Sequence, residues 1–103
     1  MSPEYQIQYL PSAKNDLLQI SKYIGQTLQA PQAARQLLQE LSNSIYLLRK
    51  FPYAHTIFHL HKPLKKETRL LPVTNFAVLY VVHENNKTVE IQAVVYAKRN
   101  LEI

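Results

Sequence analysis

The run His59-Leu-His-Lys-Pro-Leu-Lys-Lys-Glu-Thr-Arg69 gathers four cations, Lys62, Lys65, Lys66 and Arg69, within a short stretch. Lys98 and Arg99 add two more near the end of the sequence. Cations brought together in this way could grip a phosphodiester and stabilise the charge of its transition state. Tyr96, with His59 or His61, would supply groups able to move protons. The same residues could equally form a solvated basic edge that keeps a strand from pairing with other chains. Spacing alone leaves both readings open.

Other chemistries find less support. His55, His59 and His61 have an H-x3-H-x-H spacing, but Glu67 is the only carboxylate close by. A metal site needs three or four convergent ligands with supporting partners, so no metal is expected. His83 closes an apolar run and reads as a satisfied polar end of a strand. The sequence has no Cys, which excludes disulfides, zinc ribbons, iron–sulfur ligation and a thiolate nucleophile. Gly25 is its single glycine, too few for a phosphate-cradling loop or a dinucleotide fingerprint. Paired carboxylates are scarce, so glycosidase chemistry has no basis either. No cofactor is expected.

Charge is distributed unevenly. The 103 residues carry a formal net charge of +5, all of it in the second half. Residues 1–48 hold three basic and three acidic side chains, whereas residues 49–103 hold nine and four. Such an excess suits a polyanionic partner. No apolar run reaches membrane-spanning length, and the start Met1-Ser-Pro-Glu-Tyr lacks the pattern of a leader. A cytoplasmic protein of one domain over residues 1–103, with no membrane partner, is the expectation.

The elements that would position these groups follow from periodicity. Tyr5, Ile7 and Tyr9 alternate, which predicts a half-buried strand stopped by Pro11. Ser12 is a plausible N-cap for a helix whose stripe is Ala13, Leu17, Ile20, Ile24 and Leu28. Pro31 suits the first position of a second helix, with Ala34, Leu37, Leu38, Leu41, Ile45 and Leu48 as its stripe. Residues 53–66 show no period and read as a loop. Thr68 to Val73 reads as a strand, with Pro72 pointing to an edge or a bulge. Phe76 to Val82 is nearly all apolar, as in an inner strand covered on both faces. Thr88 to Tyr96 alternates, placing Val89, Ile91, Ala93 and Val95 on one face and Tyr96 on the other. The order is β-α-α-β-β-β, an α+β fold with an N-terminal helical hairpin on a small, mainly antiparallel sheet. In such a meander the start of the second strand, the end of the third and the start of the fourth share one edge. The end of the fourth lies with the start of the third.

The pattern Tyr5-x-Ile-x-Tyr…Pro11-x-Ala13-x-x-Asp16-Leu-x-x-Ile20-x-x-Tyr23-Ile24 resembles the opening of RelE/ParE superfamily toxins of bacterial type II toxin–antitoxin modules. Arg69-x-Leu71-x-Val73-x-Asn75-Phe76-x-Val78-x-Tyr80-x-Val82 continues the likeness, as does Val89-x-Ile91-x-x-Val94-x-Tyr96-x-Lys98-Arg99-Asn100. The resemblance implies a growth inhibitor neutralised by a cognate antitoxin that wraps over it. RelE-like members cleave mRNA on the ribosome without a metal, through attack of a ribose 2′-hydroxyl on the adjacent phosphate. By that likeness Lys65 and Lys66, before the second strand, and Arg99, after the last, would hold the phosphate. Lys62, Arg69 and Lys98 would add to the nucleic-acid-binding surface, and Tyr96 or His61 would act as acid or base. Two departures stand out. An arginine expected late in the second strand falls at Pro72, and no tyrosine follows Arg99. ParE-like members instead inhibit DNA gyrase by binding, and the ending Tyr96-x-Lys-Arg99-Asn100 resembles theirs as much. The Lys/His/Arg cluster favours mRNA cleavage, with gyrase inhibition as the alternative.

Overall fold

The computed structural model describes residues 4–58 and 66–97. Two helices lie on one face of a four-stranded mixed sheet, with the element order expected from the sequence. Strand β1 (Gln6–Tyr9) leads into α1 (Pro11–Lys22), which widens into a π-type turn at Tyr23–Thr27. Helix α2 (Pro31–Tyr46) ends in a 3₁₀ turn at Leu47–Arg49. Strands β2 (Thr68–Val73), β3 (Phe76–His83) and β4 (Thr88–Tyr96) complete the fold. The sheet order is β1-β4-β3-β2, in which β2, β3 and β4 form an antiparallel meander and β1 runs parallel to β4.

Both helices begin at a proline, whose fixed φ suits the first turn and whose missing N–H is not needed there. The α2 stripe behaves as its periodicity predicts: Ala34, Leu41, Ile45 and Leu48 are buried, with Leu37 and Leu38 packed beside them. The α1 stripe is well buried only at its start. Ala13 is fully buried, but Leu28 is 54% exposed. Its N–H reaches back five residues to Tyr23 O at 2.9 Å, and this wider turn rotates Leu28 off the stripe. Gly25 faces α2, where a Cβ would stand 3.8 Å from Ala34 Cβ, so the hairpin is close there without demanding glycine. Among the described residues the left-handed backbone positions are instead filled by Gln29, Thr74 and Lys87.

The core lies between the helices and the sheet face carrying Ile7, Tyr9, Leu71, Val73, Val78, Tyr80, Val89, Ile91 and Val94. Tyr80 is fully buried at its centre, and its hydroxyl donates to Pro52 O at 2.8 Å. Burial pushes the Tyr80 phenol up to about 12. The outer sheet face is partly closed as well, since Ala77 and Val81 on β3 are buried. This agrees with an inner strand apolar on both sides.

Strand β2 is the edge expected from Pro72. Residues 53–58, which read as loop, include a short pairing that lines its outer side: Ile57 bridges Arg69, and Leu70 N–H donates to Thr56 O at 3.0 Å. Pro72 has the same outward parity as Leu70 and lies past that pairing, so its missing N–H breaks no ladder bond.

Strand β4 departs from strict alternation. Its register with β3 shifts between Leu79 and Tyr80, because Leu79 faces Ala93 whereas Tyr80 faces Ile91. Gln92 is the extra residue of a β-bulge, and beyond it every side chain changes face. Val94, rather than Ala93 or Val95, enters the core. The bulge forms where β1 stops, and α1 takes over the exposed backbone. Ser12 Oγ donates to Gln92 O at 2.9 Å, and Asp16 Oδ2 accepts from Val94 N–H at 2.9 Å. Ser12 therefore does not cap α1. The helix starts two residues earlier than a cap at Ser12 would set it, with Leu10 at the cap position and no side-chain cap, leaving the hydroxyl free to reach across to β4.

Candidate functional site

Among the expected site residues, Lys66, Arg69 and Tyr96 fall within the described part of the chain. Lys62, Lys65, Lys98, Arg99, His59 and His61 lie outside the described residues. The structure does not bring Lys66 and Tyr96 together. Lys66 precedes Thr68, which pairs with Val81 near one end of β3, while Tyr96 pairs with Phe76 at the other. Five residues of β3 separate those rungs, about 16 Å at ~3.3 Å per residue.

Tyr96 also lies on the face opposite to the one expected. The bulge turns it toward α1, where its ring meets Phe76 edge-on at 5.5 Å. It helps to line a groove of about 840 Å³ with Asp16, Ile20, Tyr23, Phe76 and Val94. Local alternation could not have revealed this, because Val94 and Val95 suit the core equally well.

Arg69 is engaged within the fold. One guanidinium nitrogen donates to His55 O at 2.7 Å and another to Glu67 Oε1 at 2.8 Å. The group also lies 5.0 Å from the centre of the Tyr53 ring. With 16% of its side chain exposed, Arg69 fastens the 53–58 segment to β2. His55, the described member of the histidine spacing, packs its ring edge-on against Tyr80 at 6.5 Å. Lys66 is exposed, and its carbonyl accepts from the Thr68 hydroxyl.

A second polar cluster ties β1, the 51–55 segment and the β3–β4 turn together. Glu84 Oε1 accepts from Tyr5 at 2.7 Å and from Tyr53 at 2.6 Å, and Lys87 pairs with its other oxygen. The Lys87 hydrogen bond, followed by the two tyrosines, holds the Glu84 carboxyl down at about 2. The same carboxylate pushes the Tyr53 phenol up to about 12. Every member stabilises its neighbour's present charge state, which suits a structural fastening better than proton transfer.

The sheet face turned away from the helices carries a group that the sequence reading passed over. His83, expected as a satisfied strand end, has Nε2 closed to solvent and 3.3 Å from Glu90 Oε1, without the alignment of a hydrogen bond. Gln92 Nε2 donates to the same carboxylate oxygen. Gln8 of β1 sits beside Glu90 in register and is exposed. Lys66 lies in a bend before β2, two residues ahead of the Thr68–Val81 rung. An imidazole, a carboxylate and two amides thus form a polar lane across β3, β4 and β1. The available sequence signal was alternation: Val82, Val89 and Ile91 facing the core put His83 and Glu90 together on the other side.

A family model described as "ParE toxin of type II toxin-antitoxin system, parDE" matches residues 7–101. The chain belongs to this toxin family. Among solved structures, a chain of the chromosomal ParDE toxin–antitoxin system from P. aeruginosa superposes with a TM-score of 0.73 at 18% identity. That match covers 92% of this chain and 98% of the other. A chain of the RelBE2 toxin–antitoxin complex from Mycobacterium tuberculosis gives a TM-score of 0.60 at 20% identity, covering 90% and 98%. One from the archaeal RelE–RelB complex of Pyrococcus horikoshii gives 0.52 at 14%, covering 93% and 98%. These likenesses place the fold among RelE/ParE-like toxins. No curated protein sequence matches the chain at a significant level. Among the described residues no helix is long and apolar enough to cross a membrane.

Proposed function

We propose that this toxin arrests bacterial growth by cleaving mRNA on the ribosome without a metal, and that a cognate antitoxin restrains it. The observation that supports cleavage is the His83–Glu90 pair on the sheet face turned away from the helices, with the exposed Lys66 just before β2. Proton-transfer groups suit phosphodiester cleavage, whereas an inhibitor that only binds has no need of an imidazole–carboxylate pair. Lys65 and Arg99 would add phosphate-holding charge, with His61 a further candidate acid or base. Tyr96 acts here as a groove residue. The antitoxin reading is supported by the toxin–antitoxin complexes from which the similar folds come.

A second reading, inhibition of DNA gyrase by binding, is favoured by the ParE description of the matching family and by the P. aeruginosa ParDE fold. The engagement of Arg69 inside the fold also fits it. One paired assay separates the two. The chain is expressed alone under tight control, and mRNA integrity and chromosome breakage are measured in the arrested cells. Ribosome-dependent cuts in mRNA with an intact chromosome support cleavage. Intact mRNA with double-strand DNA breaks supports gyrase, and unimpaired growth refutes both.

A further inference from the structure

We propose that His83 is the proton-accepting group of the cleavage site and that Glu90 positions it, on the sheet face turned away from the helices. This rests on the cleavage reading above. Three features of the fold converge on it. Antiparallel register sets His83 opposite Thr88 and Val81 opposite Glu90, so the two side chains lie on a diagonal of one face. Glu90 Oε1 lies 3.3 Å from His83 Nε2, an atom closed to solvent, which leaves Nδ1 to meet a substrate. Glu90 is itself held by Gln92 Nε2, so the carboxylate beside the ring is fixed in turn.

The surroundings suit a ribose and phosphate more than a structural ion pair. His83 and Glu90 keep 29% and 18% of their side-chain surface open, so the pair lies at the surface of the face. Gln8 lies on the β1 side, level with Glu90, and the exposed Lys66 precedes β2 by two residues. Glu84 and Lys87, in the adjoining turn, are paired with each other. A strand of RNA crossing the sheet would meet a cation for its phosphate and an amide for its base or ribose.

In the reaction, His83 Nδ1 accepts the proton of the ribose 2′-hydroxyl. The 2′-oxygen forms its bond to phosphorus as the bond from phosphorus to the 5′-oxygen breaks. The departing 5′-oxygen takes a proton from solvent, giving a 2′,3′-cyclic phosphate and a 5′-hydroxyl. Lys66 bears on the phosphate oxygens, where negative charge accumulates. Glu90 touches no reacting atom and acts through the imidazole ring.

The test uses the full chain with programmed ribosomes and follows single-turnover cleavage of mRNA. His83→Ala is expected to slow cleavage by about 10²–10⁴-fold, the usual range for a general base. Added imidazole should restore part of that rate, which restoring a merely structural residue would not do. Glu90→Gln is expected to slow cleavage by about tenfold with ribosome affinity unchanged. Placed on top of His83→Ala it should cost nothing further, because its effect passes through the ring. His83→Gln, close in volume, serves if the alanine variant fails to fold. Cleavage by the His83 variants at the rate of the unaltered chain overturns the inference and leaves the cleavage reading standing. An unaltered chain that cuts no mRNA overturns both.

Discussion

Removing the Asp16 carboxylate tests how α1 substitutes for a missing strand. Past Ile91, β4 has no neighbour on the β1 side, and Val94 N–H donates to Asp16 Oδ2 at 2.9 Å in a part-buried setting. A hydrogen bond to a charged acceptor contributes about 1.5–3 kcal/mol, and losing it strands the amide. Alanine is the better helix former by about 0.5 kcal/mol, which offsets part of the loss. Asp16→Ala should therefore destabilise the fold by about 1.5 kcal/mol. With a urea m-value of about 1.5 kcal/mol/M, the unfolding midpoint falls by about 1 M. At about 4–8 °C per kcal/mol for a domain near this size, Tm falls by about 6–12 °C. Asp16→Asn keeps an acceptor oxygen and should lose about 1 kcal/mol or less. Urea unfolding followed by far-UV circular dichroism measures all three proteins. If Asp16→Ala stays within about 0.5 kcal/mol of the unaltered chain, the carboxylate does not hold the bulge and the account of β4 is wrong.

Other consequences are simpler to check. Thr74 is β-branched and adopts a left-handed φ of 53°, so Thr74→Gly should stabilise by about 1 kcal/mol in the same assay. Arg69→Lys loses the fork that reaches both His55 O and Glu67, and should cost about 1 kcal/mol and speed proteolysis within 53–58. Glu84, held down at about 2 when folded, stabilises the fold above its ordinary value near 4.5. That contribution fades as pH falls from about 4.5 toward 2, so Glu84→Gln should flatten the acid limb of an unfolding-midpoint profile.

Much of the architecture was legible from local pattern. The α2 stripe, Pro31 at a helix start, the edge position of β2 and the inner position of β3 all follow from spacing and side-chain type. What escaped were features settled by contacts between distant parts of the chain. The bulge at Gln92 depends on where β1 ends and on Ser12 and Asp16 reaching over from α1, none of which the 88–96 segment records. That one insertion moved Tyr96 to the helix side and away from the basic approach to β2. Arg69 looked like a free cation because two of its partners, the His55 carbonyl and the Tyr53 ring, come from a distant segment and leave no mark beside it. His83 was undervalued for a related reason: its meaning depends on Glu90, brought beside it only by register.

The parallel pairing of β1 with β4 also sets an order of events in time. Gln6 finds its partner, Thr88, 82 residues later, and Ile91 joins the core centre only then. Closing a loop of that length carries an entropic penalty of about 4 kcal/mol, met only once the last strand is present. At a synthesis rate of about 5–20 residues per second, β1 waits roughly 4–16 s for it. A nascent chain halted before β4 therefore lacks a finished sheet. A ribosome making this toxin is exposed to the folded product only after β4 has been synthesised.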